Sequence, residues 1–403
     1  MLHANSWEQR KLGDIGKTFT GLSGKTSNDF GHGEAKFLPY LNIFNNPIAD
    51  VYFLESTEID KSQNEIKYGD VFFTTSSETP EEVGMSSVWL GNSGNIYLNS
   101  FCFGFRPLID FNPYYFGYLL RSDSFRKPVT VLAQGISRFN ISKNKVMEIN
   151  IPLPEKLEQE KIGQLFYKLD SLITLHQRKC EKLQAVKKGL LDKMFPAAEE
   201  REPKIRFKGF TEAWEQRKFE DVAVIRRGLT YSPSDIKNTG IRVLRSSNID
   251  EEYFVKFEDD VFVDKNCINI PFVNNGDILI TSANGSSRLV GKHAIIHDLR
   301  HNSAVHGGFM LLASSKNPYF VNASMSAAWY KKFIDLYVAG GNGAIGNLNK
   351  NDLDNYELMI PTNNEQIKIG ELFKNLDTII TLHQRTCEKL KNLKSGLLNK
   401  MFC

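Results

Sequence analysis

The stretch EQEKIGQLFYKLDSLITLHQRKCEKLQAVKKGLLDKMF, Glu158 to Phe195, returns near the end of the chain as EQIKIGELFKNLDTIITLHQRTCEKLKNLKSGLLNKMF, Glu365 to Phe402. Roughly two thirds of the paired positions are identical, which marks an internal repeat. Apolar residues recur at heptad spacing in both copies, and no proline interrupts either one. The pattern predicts two long helices, each with a coiled-coil seam. In the first copy the predicted stripe contains Ile162, Leu165, Leu169, Leu172, His176, Leu183, Val186 and Leu190, with Phe166, Ile173, Cys180 and Met194 alongside.

A long helix with an exposed apolar seam needs a partner, and the chain supplies a near-identical copy. Because a repeated domain-plus-helix unit can close around a pseudo-two-fold axis, we expect the two helices to pair in antiparallel directions. At ~1.5 Å per residue each helix would be roughly 57 Å long. The expected role is a rigid spacer with a globular domain at each end.

The repeat extends beyond the helices. Trp7 returns as Trp214, and the Gly69-Asp70 pair returns 207 positions later as Gly276-Asp277. The loops between such anchors differ, so we expect one shared scaffold that binds two versions of one ligand. The expected fold class is α+β, with two pseudo-two-fold-related globular domains joined by two long antiparallel coiled-coil helices.

Composition shifts suggest the domain boundaries. We expect a first domain over residues 1–155, a long helix over 156–196, a polar linker over 197–213, a second domain over 214–362 and a second long helix over 363–403. The second half approaches its domain through residues 203–213, whereas six residues precede Trp7. Either the first half lacks this leading strand or the chain is shortened.

Local signals within the domains predict individual elements. A strand is expected over Ile66–Thr75 because this stretch is rich in β-branched and aromatic residues. Asn-Pro pairs are typical helix starts. We therefore expect Asn112-Pro113 to open a helix over Tyr114–Lys127, and Asn317-Pro318 to open one over Tyr319–Leu336.

Composition is that of a soluble globular protein. The chain has 403 residues, of which 41% are hydrophobic and 24% charged. It has no apolar run of transmembrane length and no signal-like start, so no membrane partner is expected. Five cysteines without paired spacing suit a reducing cytoplasm. The net charge of +3 is too small to indicate nucleic acid by itself, so any such site must come from local clustering.

Basic and polar residues do cluster, in loops that differ between the halves. Arg, Asn, Gln and Ser can read base edges, while Lys and Arg hold phosphates. Loops are rich in these residues in any protein, but their paired occurrence makes nucleic acid the leading ligand. The candidate DNA-binding residues are Lys25, Thr26, Ser76, Ser77, Gln134, Ser137, Arg138, Asn140, Lys143, Arg226, Arg227, Tyr231, Arg245, Ser247, Asn248, Asn284, Ser286, Arg288, Asn342, Asn347 and Lys350.

Other signals are weaker. Gly341–Gly346 has the glycine spacing of a dinucleotide site but lacks its acidic partner, so a phosphate-approaching loop or a plain surface loop is favoured. His176 with Cys180, and His383 with Cys387, have ligand types that suit zinc, yet they lie on the apolar seam, where such residues usually pack. We therefore expect no metal site. No catalytic constellation stands out.

Four features together resemble the specificity subunit of type I restriction-modification systems. They are the duplicated Trp-Glu-Gln-Arg-Lys start, the segment from Pro152 to Gln159, the Leu-His-Gln-Arg helix core and the Gly-Leu-Leu-x-Lys-Met-Phe ending. The resemblance covers nearly the whole chain, with order, spacing and duplication in agreement. It implies that two target-recognition domains each read one half of a split double-stranded DNA sequence, while the paired helices set the gap.

The resemblance also implies partners. Two methyltransferase subunits would dock to form an adenine methylase that uses S-adenosylmethionine, and two restriction subunits would add ATP- and Mg-dependent translocation and cleavage. The chain itself would bind no cofactor and have no catalysis. Two alternatives remain open at this stage: a coiled-coil adaptor that ignores DNA, and a stand-alone DNA amino-methyltransferase.

Overall fold

The computed structural model of the chain describes residues 7–92, 94–197, 200–338 and 346–402. Within these ranges the chain forms two compact units, one made of residues 7–177 and 384–402 and the other of residues 178–383. Each unit combines an α+β domain with one part of each long helix.

The first domain and the helix that follows it contain, in chain order, β1 (Glu8–Lys11), β2 (Gly16–Thr20), β3 (Phe30–Leu38), α1 (Tyr40–Asn45), β4 (Glu55–Thr57), β5 (Val71–Thr74), β6 (Ser76–Ser77), β7 (Ser86–Val88), β8 (Ile96–Leu98), β9 (Cys102–Pro107), α2 (Pro113–Leu119), α3 (Asp123–Val131), β10 (Phe139–Asn140), α4 (Lys143–Met147), β11 (Asn150–Leu153) and α5 (Lys156–Met194).

The second domain and its helix contain β12 (Glu215–Lys218), β13 (Val224–Arg227), β14 (Ile236–Lys237), β15 (Ile241–Leu244), β16 (Ile249–Asp250), β17 (Tyr253–Phe254), β18 (Phe262–Val263), β19 (Ile278–Thr281), β20 (Ala283–Asn284), β21 (His293–Ile295), β22 (Ala304–His306), β23 (Met310–Ser314), α6 (Pro318–Met325), α7 (Ala328–Tyr337), β24 (Gly346–Asn347), α8 (Lys350–Asp354), β25 (Glu357–Ile360) and α9 (Asn363–Met401).

A four-stranded antiparallel sheet lies at the centre of each domain. Its strand order is β2-β9-β5-β7 in the first domain and β13-β23-β19-β21 in the second. Strands β5 and β19 are buried along their whole length. Successive side chains point to opposite faces, so Val71 and Phe73 enter one core cluster and Phe72 enters another. Apolar cores on both faces explain why these strands are continuous apolar runs.

The turn before each central strand is formed by the Gly-Asp pair. Gly69 and Gly276 have φ angles of 85° and 96°, a conformation that favours glycine. The Asp70 carboxylate accepts a hydrogen bond from the Lys67 N–H at 2.7 Å, which closes the turn. The strand predicted over Ile66–Thr75 therefore begins only at Val71.

The two long helices are confirmed. Their buried faces include Ile162, Phe166, Leu169 and Ile173 on α5, at the three- and four-residue spacing of one helix face. Leu165, Leu172 and Val186 of the predicted stripe are instead 38%, 43% and 43% exposed. The domain core covers the face next to them, so packing against the domain, not the heptad seam alone, decides which positions are buried.

Each unit holds the two helices in antiparallel directions. In the second unit Lys187 of α5 pairs with Asp377 of α9 at 2.7 Å, and Phe195 lies 5.9 Å from Phe373 between ring centroids. Chain position therefore increases along one helix as it decreases along the other. The first unit repeats the pair with Lys394 and Asp170 at 2.6 Å, each displaced by 207 positions.

The predicted Asn-Pro helix starts have different outcomes. The Asn112 side chain accepts a hydrogen bond from the Tyr115 N–H at 3.0 Å, so it caps α2 as expected. The Asn317 side chain does not cap α6, because its amide donates to Asn363 and Gln366 at 2.9 Å. In both domains the single predicted helix is two helices, α2 with α3 and α6 with α7.

The segment predicted as a linker is partly fixed to the second unit. The Arg206 guanidinium donates to both carboxylate oxygens of Glu365, at 3.0 and 2.7 Å, and Glu365 is fully buried. The Ile205 N–H donates to the Lys193 carbonyl at 3.0 Å. Residues 205–206 are therefore part of the folded unit.

Candidate nucleic-acid interface

In the first unit several candidates meet where the central strand β5 ends. Thr74, its last residue, is paired with Cys102 at the start of β9. The chain then continues into β6, which pairs with β10 in the register Ser76 with Asn140 and Ser77 with Phe139. This pairing brings together residues more than sixty positions apart in sequence.

The loop from Gln134 to Asn140 projects beside this pair. Gln134 and Asn140 exchange two backbone hydrogen bonds, at 2.9 and 2.8 Å, which close the loop at its base. Gly135 has a φ of 151°, and a Cβ there would lie 2.0 Å from the Arg138 carbonyl oxygen, so the closure requires glycine. Ser137 and Arg138 are exposed at the tip. Exposed Lys143, the first residue of α4, follows three positions after the loop.

The second unit has the same arrangement with different side chains. Beyond Thr281, the last residue of β19, the short strand β20 pairs with β24, with Asn284 opposite Gly346 and Ala283 opposite Asn347. The Asn284 amide donates to the Ser246 hydroxyl at 3.1 Å. Strand pairing thus places two candidate asparagines together. Asn342 and all but the last residue of the Gly341–Gly346 motif lie outside the described residues.

Two adjoining cavities are lined by six candidates of this unit. The first, of about 680 Å³, is lined by Tyr231, Arg245 and Asn284 together with apolar side chains. The second, of about 410 Å³, is lined by Arg227, Asn347 and Lys350 among others. Thr230 borders both. A mainly apolar cavity with a few convergent polar groups, beside a more basic one, is suited to a ligand with both planar and anionic parts.

Four arginines of the candidate set have no ion pair within the described ranges: Arg138, Arg227, Arg245 and Arg288. All four side chains are exposed, as are those of Ser247 and Ser286. Lys350 instead pairs with Asp354 on its own helix. The guanidinium groups are thus available for an anionic ligand.

Two candidates have structural roles. Arg226 donates to Asp277 and to the Ser314 hydroxyl, both at 3.3 Å. Asn248 is fully buried, and its amide donates to the Asp260 carboxylate at 2.8 Å. These side chains are directed into the domain, so we place them outside the candidate interface.

Lys25 and Thr26 are engaged elsewhere in the first domain. Lys25 pairs with Asp60 at 2.8 Å, and this contact, with hydrogen bonds from Ser62, holds the pKa of the Asp60 carboxyl well below its usual range. The Thr26 hydroxyl donates to Asp29 at 2.9 Å. No hydrogen bond or ion pair between described residues joins either side chain to the loop from Gln134 to Asn140.

Sequence reasoning missed Phe309 and Thr230, which line the larger of the two adjoining cavities. The available signal was positional, because Phe309 and Phe101 each stand one residue before the matching strands β23 and β9. Polar composition alone could not reveal an aromatic residue.

Metal-binding clusters and membrane-spanning helices are both absent from the described part of the chain. No group of three or more His, Cys, Asp or Glu is placed to hold a metal ion. None of the described helices combines the length and apolar character needed to span a membrane.

Comparison with known proteins identifies the family of this chain. The model of the type I restriction modification DNA specificity domain matches residues 5–185 and again residues 211–392. The chain belongs to this specificity family. Its two matched segments correspond to the two copies of the repeat, each with a domain and most of a long helix.

Relatives in the specificity family span both copies. The chain is 22% identical to the type I restriction enzyme EcoKI specificity subunit of Escherichia coli, over 98% of this chain and 88% of that protein. It is 23% identical to the MjaVIII specificity subunit of Methanocaldococcus jannaschii, over 71% of this chain and 68% of the relative.

Solved structures show that the fold is shared. The crystal structure of a type I restriction-modification S subunit from M. genitalium has a TM-score of 0.64 at 14% identity, covering 100% of this chain and 98% of that one. A structure from work on assembly and conformational transition of the type I system has a TM-score of 0.53 at 16% identity, covering 99% and 98%.

Proposed function

We propose that this chain is the DNA sequence-specificity subunit of a type I restriction-modification complex. The observation that carries the proposal is that the same end of the same sheet presents different polar side chains in the two units. The first presents Gln134, Arg138 and Asn140, and the second presents Arg227, Tyr231, Arg245 and Asn284. Two unlike surfaces on one scaffold suit two different base sequences, so the target is bipartite and asymmetric.

The chemistry of each surface suggests a division of labour. Arginine can form two hydrogen bonds with guanine, and asparagine or glutamine can form two with adenine in the major groove. We assign base reading to Arg245 and Asn284, which line the larger cavity, and to the loop from Gln134 to Asn140. Arg227 and Lys350, around the smaller polar cavity, would hold phosphates.

The proposed subunit is not catalytic. Two methyltransferase subunits would dock on it and supply adenine methylation from S-adenosylmethionine, and two restriction subunits would supply ATP- and Mg-dependent cleavage, all in the cytoplasm. In this scheme the chain binds no cofactor and contributes only target choice and the gap between half-sites.

Methylation sequencing tests the proposal. DNA from cells that carry this chain with a matching methyltransferase subunit is compared with DNA from cells that lack the chain. We expect a two-part modified adenine motif that depends on the chain. If no motif appears while the same methyltransferase is active with another specificity subunit, the DNA-reading role is wrong and the adaptor hypothesis gains support.

A further inference from the structure

Each unit presents an exposed phenylalanine at an equivalent place. Phe101 immediately precedes Cys102, which is paired with Thr74 in the central sheet. Phe309 immediately precedes Met310, which is paired with Thr281, 207 positions after Thr74. The equivalence therefore follows from strand register.

Both rings are exposed although their backbone is firmly held. Phe101 is 57% exposed and Phe309 is 74% exposed. The Phe101 carbonyl accepts the Thr75 N–H at 3.0 Å and the Thr75 hydroxyl at 2.8 Å. The Phe309 carbonyl accepts the N–H groups of Ser282 and Ala283 at 3.0 and 3.1 Å. Fixed turns thus present the rings at the surface in both units.

The surroundings indicate what the rings contact. Phe309 lines the cavity that also contains Arg245 and Asn284. The Phe101 carbonyl accepts hydrogen bonds from Thr75, and the Thr75 carbonyl in turn accepts the Ile141 N–H at 3.0 Å. These bonds hold Phe101 close to the point where β6 and β10 meet. A large apolar ring among amide, hydroxyl and guanidinium groups is suited to a surface that is both anionic and rich in planar apolar faces. DNA combines anionic phosphates with planar base faces that become accessible where a step unstacks.

We infer that Phe101 and Phe309 are wedge residues, each of which inserts its ring against a base step of the half-site read by its own unit. The inference rests on the proposed DNA-reading function and adds the mode of contact. An inserted phenylalanine partly unstacks the step and favours flexible pyrimidine–purine steps. Each half-site should therefore contain one position selected by deformability as well as by hydrogen bonding.

The test uses the complete complex of this chain with its methyltransferase subunits and the motif found by methylation sequencing. DNA duplexes carry 2-aminopurine, whose fluorescence rises on unstacking, at successive positions of each half-site. Apart from the target adenine, which a methyltransferase flips out of the stack, we expect one bright position in each half-site. Phe101→Ala should abolish the signal in one half-site and Phe309→Ala in the other, with an affinity loss of roughly 5- to 150-fold for each.

Matched controls separate wedging from general effects. Tyr52 and Phe257 are 94% and 47% exposed, so Tyr52→Ala and Phe257→Ala remove exposed rings elsewhere and should leave the signal unchanged. Phe309→Trp keeps a stacking ring and should retain the signal. Retention of the methyltransferase subunits by every variant, measured by size-exclusion chromatography, shows that the rings are not protein contacts.

The outcomes are distinguishable. If the unmodified complex methylates a two-part motif but both alanine variants keep its fluorescence pattern and affinity, the wedge inference is wrong and DNA reading stands. If either variant loses its methyltransferase subunits, the ring contacts protein and the inference is overturned. If the unmodified complex methylates no two-part motif, the proposed function fails and the wedge fails with it.

Discussion

Adjacent side chains on one strand can have opposite roles. On β13, Arg226 turns toward Asp277, which is only 7% exposed, whereas Arg227 is exposed and lines the smaller polar cavity. Strand alternation sends consecutive side chains to opposite faces of the sheet. The two arginines therefore form a matched pair for separating stability from DNA binding.

Arg226→Ala should lower the free energy of unfolding by about 1.5–3 kcal/mol, because Asp277 loses a charged hydrogen-bond donor in a largely buried setting. Arg227→Ala should change it by less than about 0.5 kcal/mol. Arg227→Ala should also weaken DNA binding and reduce the slope of log K against log salt concentration by about one unit. Urea unfolding and salt titrations of DNA affinity measure both effects. Equal destabilisation by the two changes would contradict the assignment.

His306 should make the second domain sensitive to acid. Burial lowers its pKa from 6.5 to about 4. Its Nε2–H donates to the Arg226 carbonyl at 3.2 Å, while its buried Nδ1 has no partner among the described residues. The unfolded chain therefore binds a proton first as the pH falls, so the contribution of His306 to stability is full above about pH 6.5 and lost toward pH 4.

As the pH falls through this range, His306 should lower the free energy of unfolding by at most about 1.4 kcal/mol per pH unit. Buried His293, whose pKa burial also lowers, acts in the same direction. Urea midpoints at pH 7 and pH 5 should differ less in His306→Gln than in the unmodified protein. An unchanged pH dependence in the variant would show that His306 is not responsible.

At the scale of elements, the recognition loop and the long helices are stabilised in different ways. The loop from Gln134 to Asn140 is closed by two backbone hydrogen bonds at its base, so its tip can vary without disturbing the sheet. The long helices, in contrast, are held by side-chain networks. Lys187 is 8% exposed and contacts both Glu252 at 2.6 Å and Asp377 at 2.7 Å.

Replacing residues 136–139, with Gly135 kept, by a loop of equal length from another member of the family should change recognition of one half-site and leave the other unchanged. The reason is that the loop belongs to the first unit alone. Methylation sequencing would reveal the new half-site. Simultaneous loss of both half-sites would count against independent reading by the two units.

Lys187→Met should destabilise the protein by about 3 kcal/mol, because it removes a buried ammonium and leaves the half-buried Asp377 carboxylate without its partner. Lys394→Met removes the equivalent contact of the first unit, where the lysine side chain is 20% exposed against 10% for Lys187, and should cost about 1 kcal/mol. Denaturant unfolding compares the two variants. A larger loss in Lys394→Met would refute the role of burial.

At the scale of the whole molecule, the duplication gives one chain two related reading domains. Helices α5 and α9 each contribute residues to both compact units. The chain is therefore connected between its domains by regular helix, whose length changes by a fixed amount for each residue removed.

Deleting seven residues at matching positions of both helices should preserve the apolar stripe while shortening the connection by roughly 10 Å. We expect the modified motif to contain fewer base pairs between its two halves. Methylation sequencing of cells carrying the deletion measures this gap. An unchanged gap would show that the helices do not set the spacing of the half-sites.

The sequence by itself determined the repeat, the two long helices, the α+β class and the kind of ligand to expect. These properties follow from periodicity and from matching segments, which a linear chain displays directly. The Asn112 cap belongs to the same group, since a cap depends on residues only a few positions apart.

Only the tertiary structure decided which polar residues face the candidate interface. Strand register joins Ser76 to Asn140 across sixty-four positions, burial removes Asn248 from the surface, and the contact with Asp277 engages Arg226. The place of Phe309 beside Arg245 and Asn284 likewise followed only from the fold. Whether a side chain serves the core or a ligand depends on contacts between segments distant in sequence, and those contacts exist only once the chain has folded.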